Sequence, residues 1–190
     1  MILGIIAGLS VFNDYFTRYN PELTLEEALT LAANAAAVDY FLKIDGIQGE
    51  VTEKGHEGEI MLESFSWGEV NPGIVRSPTP TGTPTFSPIN VVIRLDQSSP
   101  KLLVATARGD RFPRVEIKIL RAGEKKEEFF KITLEDAIIS SYQIGGSSGD
   151  IPSESISINF GKIEYEFKKQ KGNKTETFQG GWDLEKNRPL

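Results

Sequence analysis

From Val38 onward the chain alternates apolar and polar residues with a period of two. "INVVIRL" puts Ile89, Val91, Ile93 and Leu95 on one side. "RVEIKIL" sets Val115, Ile117 and Ile119 against Arg114, Glu116 and Lys118, and "ESISINF" and "KIEYEFK" repeat the alternation through Ile156, Ile158, Phe160, Ile163, Tyr165 and Phe167. "DYFLKI" and, more loosely, "EIMLESFSW" belong to the same class. One-face alternation predicts antiparallel strands with one side covered. Gly161, between the last two runs, predicts a tight connection or a bulge. "SSPKLLVATARG" reads instead as a short helix, with Ser99 as N-cap, Pro100 at the first helical position, Arg108 in the last turn and Gly109 just past the end.

Before Val38 the period is that of a helix. In "NPELTLEEALTLAANAAA", Thr24 and Glu27 form a capping-box pattern. Leu25, Ala28, Leu29, Ala32, Ala33 and Ala36 follow on one face, a narrow stripe of small residues suited to close docking. The expected division is a helical N-terminal extension over 1–37 and a mainly β, antiparallel domain over 38–190 with one short side helix. Inside that domain, "EVNPGIVRSPTPTGTPTFSP" holds five of the ten prolines. Proline removes donors and resists sheet interiors, so 69–88 is expected to be an extended arm.

Composition narrows the function classes. There is no cysteine, which excludes disulfides, thiolate metal sites and a cysteine nucleophile. The net charge of −6 argues against a general nucleic-acid binder and against docking on anionic lipid. The apolar start "MILGIIAGLSVF" is too short to span a bilayer and lacks a positive leading region, so a cleaved signal peptide is not expected.

Candidate chemistry is sparse. His56, the one histidine, stands among Glu50, Glu53, Glu57 and Glu59, but the flanking Gly55 and Gly58 predict a turn between strands more than a metal or acid/base site. "GGSSGD" lacks the Gly-Lys-Ser/Thr ending of a phosphate loop and reads as a strand connection; "NKT" at 173–175 reads as a chance glycosylation pattern. Trp67 and Trp182 suit core or interface anchors, with a ligand-stacking platform as the alternative. No catalytic residue, metal ligand or cofactor is expected.

"DYFLKIDGIQGE", "KGHEGEI" and "SFSWG", continuing through "SPKLLVATARG", "LEDAIISSYQIGGSSGD", "ESISINFGKIEYEF" and "GGWDLEKN", resemble the haemolysin-coregulated (Hcp) proteins. These form the inner tube of the bacterial type VI secretion system. The resemblance covers about residues 38–188, in order. It implies a compact β-barrel with one helix along its side, homohexameric rings that stack into a tube, sheath and spike proteins as partners, and small effectors carried in the lumen. It implies residence in the bacterial cytoplasm followed by type VI export. It gives His56 a place in a strand–loop–strand signature without catalysis. The arm, with Val70, Asn71, Pro72, Val75, Arg76, Pro78 and Phe86, would contact neighbouring subunits or the next ring. Family members usually begin close to "VDYFLKI"; the 37 residues before Val38 depart from this. They are expected to form a docked appendage, or to reflect a start assigned upstream. The alternatives are the tube of another contractile particle or phage tail, and a monomeric β-rich ligand-binding module using Trp67 or Trp182.

Overall fold

The computed structural model describes residues 38–72, 83–121, 126–172 and 174–190. The expected helix with Leu25, Ala28, Leu29, Ala32 and Ala36, the arm residues Val75, Arg76 and Pro78, and Asn173 lie outside the described residues. Contacts divide the chain into two units; the one described here is Asp39–Arg121 with Glu127–Leu190.

Among the described residues, eleven strands and one helix follow in order: β1 Val38–Ile44, β2 Ile60–Ser66, β3 Glu69–Val70, β4 Thr85–Phe86, β5 Ile89–Arg94, α1 Ser99–Arg108, β6 Arg111–Arg121, β7 Glu127–Gly145, β8 Ser153–Asn159, β9 Lys162–Lys171, β10 Lys174–Asp183 and β11 Arg188–Pro189. The large sheet runs β11-β10-β9-β7-β6-β1-β2-β5-β8, and β8 returns to pair with β7. Six strands, β7-β6-β1-β2-β5-β8, therefore close a barrel, while β9, β10 and β11 continue from β7 as a wing. Register shifts at Leu62/Ser64, Ile119/Leu120 and Ile139/Ser141 supply the local bends that closure demands.

The strand β7 belongs to both parts. Its first half pairs with β9, from Phe130↔Phe167 to Glu135↔Lys162, and its second half pairs with β8 from Ile138↔Asn159 onward. The register is continuous across the change, so β8 and β9 are one long strand interrupted at Phe160–Gly161. Opposite the break, Asp136 takes φ 52°. The Gly161 N–H donates to the Glu135 carbonyl at 2.9 Å, and a Cβ on Gly161 would stand 3.3 Å from the Asp136 Cβ. Gly161 thus marks a bend within one strand, where the sequence suggested a tight connection or bulge between two.

The barrel core consists of the expected inward residues: Ile89, Val91, Ile93, Val115, Ile117, Ile156 and Ile158 are all buried, with Leu42, Ile60, Leu62, Ile132, Leu134 and Ile139. Alternation fails where both faces are covered. On β1, Phe41 and Leu42 are adjacent and both fully buried. Leu42 joins the barrel core, whereas Phe41 joins Val51 and Leu120 in a second cluster. Along β9 burial fades outward: Ile163 is 4 % exposed and Phe167 37 %, because the strand leaves the barrel. Leu95 falls just beyond β5 and is exposed rather than core.

The helix α1 packs against β7 and buries Leu102 and Ala105. Its N-cap is Ser98, one residue before the expected Ser99. Asp96 explains the shift: its carboxylate accepts from the Ser98 N–H at 2.7 Å, and its own N–H donates to Ser99 Oγ at 3.0 Å. Gly109 closes the helix at φ 68°, a left-handed conformation that favours glycine.

Candidate assembly surfaces

The histidine loop is a packing device. The His56 ring lies 5.0 Å from that of Phe41, and His56 Nδ1 is 2.9 Å from Glu59 Oε2. The other Glu59 oxygen accepts from Lys118 Nζ at 2.6 Å, and Glu116 approaches the same ammonium at 3.3 Å. Lys118, on the polar side of its strand in the sequence pattern, is only 9 % exposed. Burial works to lower its pKa, but the Glu59 hydrogen bond and the Glu59 and Glu116 charges outweigh it and hold the ammonium above its ordinary value. Gly49 brings the two arms of this loop together: its N–H donates to the Gly58 carbonyl at 2.9 Å, and a Cβ there would come within 2.5 Å of the Glu59 carbonyl. Among the described residues no group of three or more His, Cys, Asp or Glu is placed to hold a metal ion. No helix among them is long and apolar enough to cross a membrane.

The base of the arm is a small hairpin. β3 and β4 pair through Glu69↔Phe86 and Val70↔Thr85. Val70, Asn71 and Pro72 are exposed, and Phe86 is half-buried. The Phe86 ring stacks on Trp67 at 6.1 Å, and Trp67 meets Tyr165 edge-on at 5.7 Å. Trp182, opposite Ile163 across β9 and β10, completes the wall of a cavity of about 230 Å³. Trp67 and Trp182, separate candidates in the sequence, therefore belong to one aromatic groove. Burial first, then the charge of Glu69, pushes the Tyr165 hydroxyl up to about 12.

The wing supplies a second surface, which the alternation pattern did not single out. Phe178 on β10 pairs with Phe167 on β9, their rings 6.4 Å apart, and Phe178 is 54 % exposed. The partner strand β11 covers only Trp182 and Asp183 of β10, and the Leu190 N–H donates to the Gly181 carbonyl. Among the described residues, the outer edge of β10 from Lys174 to Gly180 has no strand partner. The other face of the wing is laced with charge: Glu166 accepts from Gln179 at 2.8 Å and lies 3.1 Å from Lys168 and 3.4 Å from Lys131. Those contacts hold the Glu166 carboxyl below its ordinary range, the Gln179 hydrogen bond foremost. "KTETFQGGWD" carried the hint of this edge, with Phe178 the single large apolar residue between charged and glycine positions.

The barrel, side helix and histidine loop correspond to known proteins. Residues 41–167 match the family model described as "Type VI secretion system effector, Hcp". The chain belongs to the Hcp family. Protein hcp1 of Pseudomonas aeruginosa is 30% identical over 158 residues, covering 80% of this chain and 98% of that protein. Among solved structures, that of a type six secretion system protein superposes with a TM-score of 0.75 at 30% identity, over 81% of this chain and 100% of that one. Hcp1 from Salmonella typhimurium gives 0.68 at 26% identity, over 81% and 99%. The matched region includes the His56 loop and the base of the arm.

Proposed function

We propose that this chain is the structural subunit of a type VI inner tube. Copies close into homohexameric rings, the rings stack, and the tube is exported with the spike under the drive of the sheath, carrying small effectors in its lumen. Family membership supports the tube role. The structural observation that supports assembly is the edge of β10, unpaired among the described residues, beside exposed Phe178. An uncovered strand edge is a template for pairing, and a ring of copies removes such edges by closure. Val70, Asn71, Pro72 and Phe86 at the base of the arm, with Val75, Arg76 and Pro78 further along it, are the other residues proposed to meet a neighbouring subunit. The work of this protein on that reading is assembly and delivery, with no catalysis.

The test is the mass of the purified chain in solution, by light scattering behind a sizing column. A hexamer is the expected result. A monomer over a wide range of concentration would overturn the tube reading and favour a β-rich ligand-binding module. Residues 1–37 are proposed to be an appendage that bears on cargo or stacking, so their deletion should leave hexamers while changing effector capture or ring stacking. Unchanged cargo capture and unchanged stacking would remove that role.

A further inference from the structure

The aromatic groove beside the arm has unmet hydrogen-bonding capacity. The indole N–H groups of Trp67 and Trp182 are both buried, and neither has an acceptor among the described residues. A buried donor without a partner is costly, and an incoming carbonyl relieves that cost. The groove is mainly aromatic: Trp67, Phe86, Tyr165 and Trp182 line it with Ile163, and Gly180 leaves an open stretch with nothing within 4 Å of where a Cβ would stand. Exposed Glu69 sets a single negative charge on the rim. Aromatic walls, indole donors and an acidic rim together suit an extended proline-rich segment bearing a cation. Prolines present flat rings and carbonyls without competing N–H groups.

The sequence carries a proline-rich stretch with one cation. Residues 70–88 contain five prolines, and Arg76 is their one charged residue. We propose that the Trp67–Trp182 groove of one subunit receives the proline-rich segment around Arg76–Pro84 of a second copy, with Arg76 of that copy meeting Glu69. Small rotations of the two indoles then give their N–H groups carbonyl acceptors. This rests on the tube reading, and it names which parts of two subunits meet. A ring built head-to-tail needs two different, complementary surfaces on each copy, and the groove and the arm are such a pair.

The test exchanges charges in the full-length chain. Glu69→Arg and Arg76→Glu are made separately, and circular dichroism melts select variants that fold like the parent; Glu69→Gln and Arg76→Gln replace any that do not. Ring formation is read by native mass spectrometry. Each charge reversal alone is expected to weaken assembly by about fivefold or more per contact, the upper scale of an exposed ion pair. An equimolar mixture of the two reversed chains should regain rings. The groove of the Glu69→Arg copy then meets the arm of the Arg76→Glu copy with opposite charges, while the remaining boundaries keep the native pair. With the glutamine variants, the reading is the weakened assembly of each alone. Assembly of the variants indistinguishable from the parent overturns the inference and leaves the tube reading standing. So does a reversed mixture that stays apart while the doubly substituted chain assembles, which places the pair within one copy. Should the parent chain fail to assemble, the tube reading fails, and a synthetic peptide of residues 74–84 decides the groove. Its binding to the intact chain, read from tryptophan fluorescence and lost in the Arg76→Glu peptide or in the Trp182→Phe chain, supports the groove. Absence of a fluorescence change overturns it.

Discussion

At the scale of single residues, Glu59 carries an unusual share of the local structure, since it faces both His56 and Lys118 from within the fold. Glu59→Gln should cost about 3 kcal/mol, because removal of one charge leaves the Lys118 ammonium buried with Glu116 alone. Equilibrium urea unfolding checks this, and a loss below about 1 kcal/mol would mean that Glu116 suffices. The tyrosines give a pH signature. Tyr142 donates to Glu154 at 2.7 Å, and burial, then that bond, pushes its hydroxyl up to about 12; Tyr165 is raised as far. Below the ordinary tyrosine value near 10 both states hold the proton and the stabilisation is complete. Above it the unfolded chain ionises first, so stability should fall as the pH rises from about 10 to about 12. The raised Lys118 acts with the same sign. Unfolding midpoints across that interval, with Tyr142→Phe showing a shallower decline, are the measurement.

At the scale of elements, two close approaches hold the loops in place. Gly49→Ala should destabilise by about 1–3 kcal/mol, since a methyl there meets main-chain atoms that have no room to retreat. A thermal melt would detect this as a lower midpoint. Trp67→Ala should cost about 3 kcal/mol, the low end for a large aromatic, because the ring is half-buried and stacks on Phe86. The elements also show what the sequence could and could not disclose. The inward isoleucines of β5, β6 and β8 were legible because one face of each strand meets water and the other meets the core. Phe41 and Lys118 were not, because each depends on a loop that covers the second face of the sheet, and that covering is a tertiary fact. Trp67 and Trp182 were recognisable as anchors one at a time. Their shared groove was hidden, since it arises only when β9 and β10 fold back beside the base of the arm, 115 positions away in the chain. The Hcp resemblance was readable because its motifs occur in order, yet the unpaired edge of β10 lies largely outside them.

At the scale of the whole molecule, a closed barrel has no free edges, and among the described residues the wing leaves one edge unpaired. Phe178→Glu should therefore lower the assembled mass in light scattering while shifting the melting midpoint of the single chain little, as a surface change within about 0.5 kcal/mol. A drop in chain stability without loss of assembly would show that Phe178 serves the fold instead. The long ladder between β7 and the broken strand β8–β9 adds a mechanical consequence. A push delivered to the wing along the strand direction reaches the barrel through rungs from Phe130↔Phe167 to Gly145↔Ser153, which share the load side by side. Rungs loaded in shear resist together, whereas rungs loaded by peeling give way one at a time. The bend at Asp136 and Gly161 keeps the two halves on one continuous ladder, so the exposed wing and the part that holds the core yield or endure as one body.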